Sequence, residues 1–308
     1  MTTYGSSSGS AVAVSANLAM ASLATDTCGS LITPSSAGMV VGSKASYGRI
    51  SNSGIVPLAP SLDSIGVMTR TVEDNLKVLN VIASYSPLCH SSIRVGIVRY
   101  PYLNETSPEI ISQFNKMVTH IRKAELAIVE ELTLAPTFYN YPAFETVIDV
   151  ELKHFIANYL TTSATKGYVS SLDDIIKLNQ RYPSISGLDR KYQQDFLIRA
   201  NAVEFGIKSQ NYTQALQQLK DNTYDAIQQF MTENNINIIM VMSDNDNMPH
   251  VPASQAGLPI ISIPAGITKD GFPFGVSFYT VPRHECLIFK LARAVEAVAP
   301  SRTPPTFL

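Results

Sequence analysis

Two short turns rich in serine and glycine hold the residues of this chain most capable of chemistry. The first is Gly5-Ser6-Ser7-Ser8-Gly9-Ser10, and the second is Ala24-Thr25-Asp26-Thr27-Cys28-Gly29-Ser30. A serine hydroxyl is a weak nucleophile at its ordinary pKa. It becomes effective beside a proton acceptor and a set of donors for the charge that develops. Serines from two turns that face one pocket would meet the first need, and the turn amides the second. Read alone, Gly5 to Ser10 fits a flexible linker or tag remnant equally well. It also satisfies G-x-S-x-G, but a nucleophile elbow follows a strand, and only Met1 to Tyr4 precede it here.

Other reactive groups carry less. His284-Glu285-Cys286 and the Asp244, Asp246, His250 group have ligand-type side chains without zinc or calcium spacing, so no metal is expected. Cys28 lies in an amide-rich turn that could lower a thiol pKa, yet a free cysteine reads more simply as a small packing residue. Arg70 and Asp74, four positions apart, read as a structural ion pair. Gly266 to Gly275 lacks a phosphate-loop pattern and reads as a hairpin turn around Lys269-Asp270-Gly271. The tyrosines between 139 and 224 read as core or pocket lining.

The elements that must position the two turns follow from periodicity. Ala11 to Leu23 is nearly all small and apolar, which predicts one helix joining the turns and covered nearly all round. Leu31 to Gly48 suits a turn, a short helix and a strand centred on Met39-Val40-Val41, and Ile50, Ile55 and Val56 suggest more strand before a loop at 57–63. Thr71 with Asp74 is an N-cap pair ahead of the stripe Val72, Leu76, Leu79, Ile82. Ile93 to Val98 alternates into a strand after a loop ending at His90 to Ser92. Ser107-Pro108 starts a helix that continues through Ile110, Phe114, Met117 and Ile121, and Ile128 to Leu134 reads as a strand. Residues 137–235 are helical and rich in Asn, Gln and Tyr, with breaks near 161–171, 182–187 and 222. Strands at 236–242, 259–264 and 274–279 and a helix from His284 to Val298 close the chain. Strands alternating with helices predict an α/β protein with a mixed β-sheet core flanked by helices.

Composition narrows the classes. The chain has 308 residues, 45% hydrophobic and 16% charged, which is enough for one large core or two domains and argues against disorder. A formal net charge of −2 gives no electrostatic case for nucleic acid or an anionic membrane. Three cysteines, Cys28, Cys89 and Cys286, are too few and too scattered for a disulfide framework and suit a reducing compartment. The Ala11 to Leu23 stretch is too short for a bilayer span. A cytoplasmic location is the expectation.

Taken together, the motifs resemble the amidase signature family. Gly5-Ser6-Ser7-Ser8-Gly9-Ser10-Ala11 resembles its Gly/Ser-rich opening, and Ala24-Thr25-Asp26-Thr27-Cys28-Gly29-Ser30 is similar to its G-T-D-x-G-G-S box. Pro34, Gly38, Val40-Val41-Gly42, Lys44, Tyr47-Gly48-Arg49, Ser61-Leu62-Asp63 and Gly66 to Asp74 continue the likeness. Gly257-Leu258-Pro259, Ile263-Pro264-Ala265-Gly266 and Asp270 to Val276 resemble the closing module. Matches in order at both ends are far more specific than any lone short motif.

The resemblance implies a single amidase-signature domain over 1–308 that lacks its N-terminal part, with 137–235 as a helical insert over the active site. It implies hydrolysis of a carboxylic amide without a cofactor. Ser30 would be the nucleophile, Ser6 the bridging serine with Ser7 in support, and the N–H groups of Thr27, Cys28, Gly29 and Ser30 the oxyanion donors. Asp26 would fix the turn by accepting neighbouring N–H bonds. Three departures stand out. The family's general-base lysine lies upstream of Gly5 and is absent, Cys28 replaces a glycine, and Ile32 replaces an arginine. Lys44 is a poor substitute base because the family uses that lysine structurally. Losing one member of such a unit costs on the order of 10⁴–10⁶ in turnover, so an impaired amidase is expected, with a silent amidase-like binding or scaffold protein as the alternative. Ser171 to Asn179 resembles a segment of stand-alone amidases rather than of the glutamine-dependent tRNA amidotransferase. The partner expected is a small-molecule amide, with no nucleic acid and no membrane, and a homodimer is left open.

Overall fold

The computed structural model describes residues 5–83, 92–99, 106–123, 127–132, 141–162, 167, 169–188, 193–243 and 249–306. Cys89, His90, Asp244 and Asp246 lie outside them. The chain divides into two compact units. The first comprises 1–51, 64–139 and 222–308, and the second 52–63 and 140–221.

In the first unit, eight strands form one mixed sheet: β1 (Ala21–Asp26), β2 (Val41–Lys44), β3 (Ser64–Thr69), β4 (Arg94–Val98), β5 (Ile128–Leu132), β6 (Ile238–Ser243), β7 (Ile260–Ile267) and β8 (Pro273–Tyr279). Their order is β1-β3-β2-β7-β8-β6-β4-β5. All pairs from β1 to β6 are antiparallel, whereas β6-β4 and β4-β5 are parallel. A sheet buried on both faces needs strands that are apolar at every position, and β6 shows why this one is. Its Ile238, Met240 and Met242 enter one core cluster, and Ile239 and Val241 enter the other. Each such side chain contributes about 1.5–3 kcal/mol on leaving water.

Helices cover both faces. The stripes of α3 (Val72–Ile82), α4 (Pro108–Lys123) and α12 (Glu285–Val298) join the first cluster through Leu79, Phe114, Ile121, Leu287, Leu291 and Val295. The second cluster takes residues of α1 (Ser8–Ser15), α2 (Ile32–Ala37), α10 (Ala226–Glu233) and α11 (Val251–Gln255). Thr71 caps α3 as its pattern required, with the Asp74 N–H donating to Thr71 Oγ1 at 3.1 Å. The β7–β8 turn closes where Gly271 N–H donates to the Thr268 carbonyl at 2.9 Å.

Four expectations are corrected. Ala11 to Leu23 is not one buried helix: α1 ends at Ser15, Asn17 adopts φ 61°, and β1 begins at Ala21. Leu18 and Met20 are 79% and 83% exposed, so this stretch is not covered all round. The strand expected at Met39 is shifted to Val41–Lys44, because Met39 turns with φ 53°. No strand forms at Ile50, Ile55 or Val56. Arg70 does not pair with Asp74. Its Nη1 donates to the Ala19 carbonyl at 2.8 Å and to the Val14 carbonyl at 3.4 Å.

The second unit contains α5 (Tyr141–Thr162), α6 (Leu172–Arg181), α7 (Pro183–Ser186), α8 (Asp195–Ala202) and α9 (Gln210–Lys220) around Leu152, Ile156, Leu172, Ile176 and Ala200. The fully buried Glu151 accepts from Tyr212 Oη at 2.6 Å and from the Ser61 N–H at 2.9 Å, which ties 52–63 to α5 and α9. Arg199 spans Asp149 and Glu145. Among the described residues, no helix is long and apolar enough to cross a membrane.

Candidate functional site

Strand β1 ends at Asp26, and the chain then turns sharply before α2 begins. Asp26 organises that turn. It is fully buried and accepts the Gly29 N–H at 3.0 Å on one oxygen, and the Leu31 and Ile32 N–H groups at 2.9 and 3.3 Å on the other. The turn thereby satisfies helix-entry amides that would otherwise lack partners. Lys44 Nζ, on β2 and equally buried, lies 3.3 Å from the same carboxylate and donates to the Ser254 carbonyl at 3.1 Å. Burial alone would push the Asp26 carboxyl up. Lys44, the Leu31 and Gly29 amides and the charge field at His250 outweigh it and hold the carboxyl below its ordinary value.

Gly29 is required where it stands. Its φ of 108° is a left-handed conformation, and a Cβ there would lie 2.7 Å from His250 Nε2. That imidazole is fully buried just before α11, with Nε2 2.9 Å from Thr33 Oγ1 and Nδ1 without a partner among the described residues. Burial pushes its pKa down to about 4, Asp26 opposes the shift and Lys44 adds to it. His250 is therefore neutral at pH 7 and packs as a wall behind the Gly29 turn.

The first serine turn closes onto the second through the backbone. The Ser7 N–H donates to the Ser30 carbonyl at 3.1 Å, and Ser7 Oγ donates to the Thr25 carbonyl at 3.0 Å. Gly5, at φ 90°, approaches so closely that a Cβ would stand 3.0 Å from the same Ser30 oxygen and 2.7 Å from Pro34 Cδ. Residues 5 and 7 thus wrap the Ser30 carbonyl with Ser6 between them. Ser6 is exposed, Ser30 and Cys28 are half-buried, and Thr27 is buried. The two serine turns are thus pinned together by backbone contacts beside the solvent-exposed Ser6.

Several sequence-derived roles meet this geometry differently. Asp26 accepts three turn amides. The Gly29 N–H, expected among the oxyanion donors, donates to Asp26 in this structure. Lys44 is engaged by Asp26 and Ser254 rather than held as a base. His250 packs against a glycine 221 positions earlier, a contact that spacing does not reveal; Asp244 and Asp246, which residue type groups with it, lie outside the described residues. Glu285 accepts from the Ser46 N–H and Oγ at 3.0 and 2.6 Å. Among the described residues no group of three or more His, Cys, Asp or Glu is arranged to hold a metal. Among the described residues Cys28 forms no disulfide.

Comparison with known proteins bears on what this turn is for. A family model described as Amidase matches residues 2–289. A probable amidase of Arabidopsis thaliana is 29% identical over 330 aligned positions, covering 99% of this chain and 62% of that protein. A glutamyl-tRNA(Gln) amidotransferase subunit from Staphylococcus carnosus is 30% identical, covering 95% of this chain and 66% of its own length. Among solved structures, native peptide amidase from Stenotrophomonas maltophilia superposes with a TM-score of 0.88 at 26% identity, over 99% of this chain and 68% of that one. This chain thus spans about 62% of the Arabidopsis protein's length.

Proposed function

This chain belongs to the amidase signature family, and on that premise we propose that it cleaves a small carboxylic amide through an acyl-enzyme on Ser30. The observation that carries the reading is the Ser7 N–H bond to the Ser30 carbonyl, which draws the two serine turns together. In the proposed reaction Ser30 Oγ attacks the amide carbon and its proton passes to Ser6. Ser6 gives its own hydroxyl proton to the departing nitrogen, and ammonia or an amine leaves. Water then attacks the Ser30 ester, the carboxylic acid departs and the serine regains its proton. The transient oxyanion faces the Thr27–Ser30 turn, with the Ser30 N–H as a donor. His250 and Asp26 hold that turn from behind and act as positioning residues.

Lys44 sets the expected rate. Its Nζ is occupied by Asp26 and by the Ser254 carbonyl, so it does not serve Ser30 as a base. The same observation favours the second reading, a protein that binds an amide without turning it over. Single-turnover kinetics with an activated p-nitroanilide separate the two. A burst of p-nitroaniline stoichiometric with protein, followed by slow release, supports the enzyme. Ser30→Ala should abolish the burst and Ser6→Ala should slow it about 10²–10⁴-fold, the usual range for a general acid–base group. A folded protein that binds the substrate with no burst supports the silent reading. The substrate proposed is a small molecule, and the cytoplasm the proposed compartment.

A further inference from the structure

Far from the serine turn, the first unit holds a cavity of about 490 Å³. In the β1–β3 ladder Asp26 faces Ser64 and Ala21 faces Thr69. Arg70, which follows Thr69, therefore lies at the other end of β1 from Asp26, roughly 17 Å along the strand. Arg70 and Arg302 line the cavity, and Ile263, Pro264, Ala299 and Pro300 give it apolar walls.

The two guanidinium groups are held by neutral partners. Arg70 Nη1 donates to the Ala19 and Val14 carbonyls, and Arg302 Nη2 reaches the Ser15 carbonyl at 3.4 Å. Among the described residues Arg302 Nε is buried without a partner. Among the described residues neither arginine is paired with a carboxylate. The acid that shares the cavity, Glu296, turns both oxygens to the Val72 N–H at 3.1 Å each. Burial holds the Glu296 carboxyl above its ordinary range, and Asp74 and Glu73 add to that against the Val72 N–H. Burial, with the like charge of Arg70, also weakens the hold of Arg302 on its proton. Two adjacent cations that pair with no carboxylate among the described residues leave several guanidinium donors available, and guanidinium pairs best with planar carboxylates.

We propose that this cavity binds a small organic acid, its carboxylate against Arg70 and Arg302 and its apolar part against Ile263, Pro264, Ala299 and Pro300. The volume lies within the range of small-molecule sites and is far larger than an inorganic ion needs. The site is independent of the serine chemistry.

Sodium benzoate, titrated into the full chain by calorimetry and by ¹⁵N NMR of arginine Nε–H groups, tests the proposal. Benzoate should bind one to one and shift the Arg302 Nε–H resonance, while benzyl alcohol, which lacks the charge, should not. Arg302→Gln should weaken benzoate binding about tenfold or more, the usual worth of a hydrogen bond to a charged group. Ala299→Phe, which fills the cavity without touching charge, should weaken it comparably. Ser30→Ala should leave it unchanged, so a failed hydrolysis reading has no bearing on this result. No heat and no Arg302 shift at millimolar benzoate would overturn the proposal. So would binding as tight as the wild type's in both Arg302→Gln and Ala299→Phe, or loss of binding in Ser30→Ala.

Discussion

At the scale of single residues, the serine turn is governed by what surrounds Asp26 and Gly29. His250 supplies the sharpest consequence, because folding must keep it neutral. Its folded pKa of about 4 lies below the ordinary 6.5. Unfolded chains therefore bind a proton that folded ones refuse between those values, and stability falls as pH drops through that window. The loss, complete below about pH 4, is on the order of 3 kcal/mol. Asp26, held below its ordinary 3.8, adds a further loss only under that pH. Urea denaturation from pH 7 to 4 should show this slope in the wild type and lose most of it in His250→Gln, which keeps a donor for Thr33. An equal slope in both proteins would remove His250 from the account. Local spacing made Asp26, Ser30 and the glycine legible, since a turn is encoded within a few residues. His250 was not legible, because a contact across 221 positions leaves no local trace. The diversion of the Gly29 amide to Asp26 was equally hidden, since spacing does not say which way an N–H points.

At the scale of elements, most of the sheet was legible, and β4, β6, β7, β8, α3, α4 and α12 lie where their patterns put them. Their signals are strong ones: β-branched runs, a Ser-Pro start and an N-cap pair. The stretch Ala11 to Leu23 shows the opposite case. Alanine, serine and valine there satisfy a helix or a strand about equally, and neither propensity decides. Pairing of β1 with β3 along its whole length decides it, together with the left-handed Asn17. The two views differ in energy. Were Leu18 and Met20 buried in one helix, cutting each to serine would cost several kcal/mol. Exposed as they are, Leu18→Ser and Met20→Ser should each change stability by less than about 0.5 kcal/mol in chemical denaturation. A loss above about 2 kcal/mol in either would restore the buried helix. The contribution of 52–63 to the second unit was not legible, since it rests on a buried Glu151 that takes a backbone N–H from Ser61.

At the scale of the whole molecule, both ends of the chain build one mixed sheet, and the family resemblance rests on motifs from both ends as well. The strand order places β1 and β3 beside β2 and β7, so the Asp26 carboxylate meets Lys44 from β2, which also donates to the Ser254 carbonyl that precedes β7. That convergence is why a serine turn near residue 30 depends on residues near 250. The charged cavity beside Arg302 was not legible, because it depends on partners brought together only by the fold. The central claim, that Ser30 is the reactive hydroxyl of this convergence, has a direct test. Folded protein is treated with a fluorophosphonate, digested, and the modified peptide sequenced by mass spectrometry. The account predicts one adduct on Ser30, absent in Ser30→Ala and slowed in Ser6→Ala. An unmodified Ser30 in folded protein, or an adduct on another residue in its place, would contradict it.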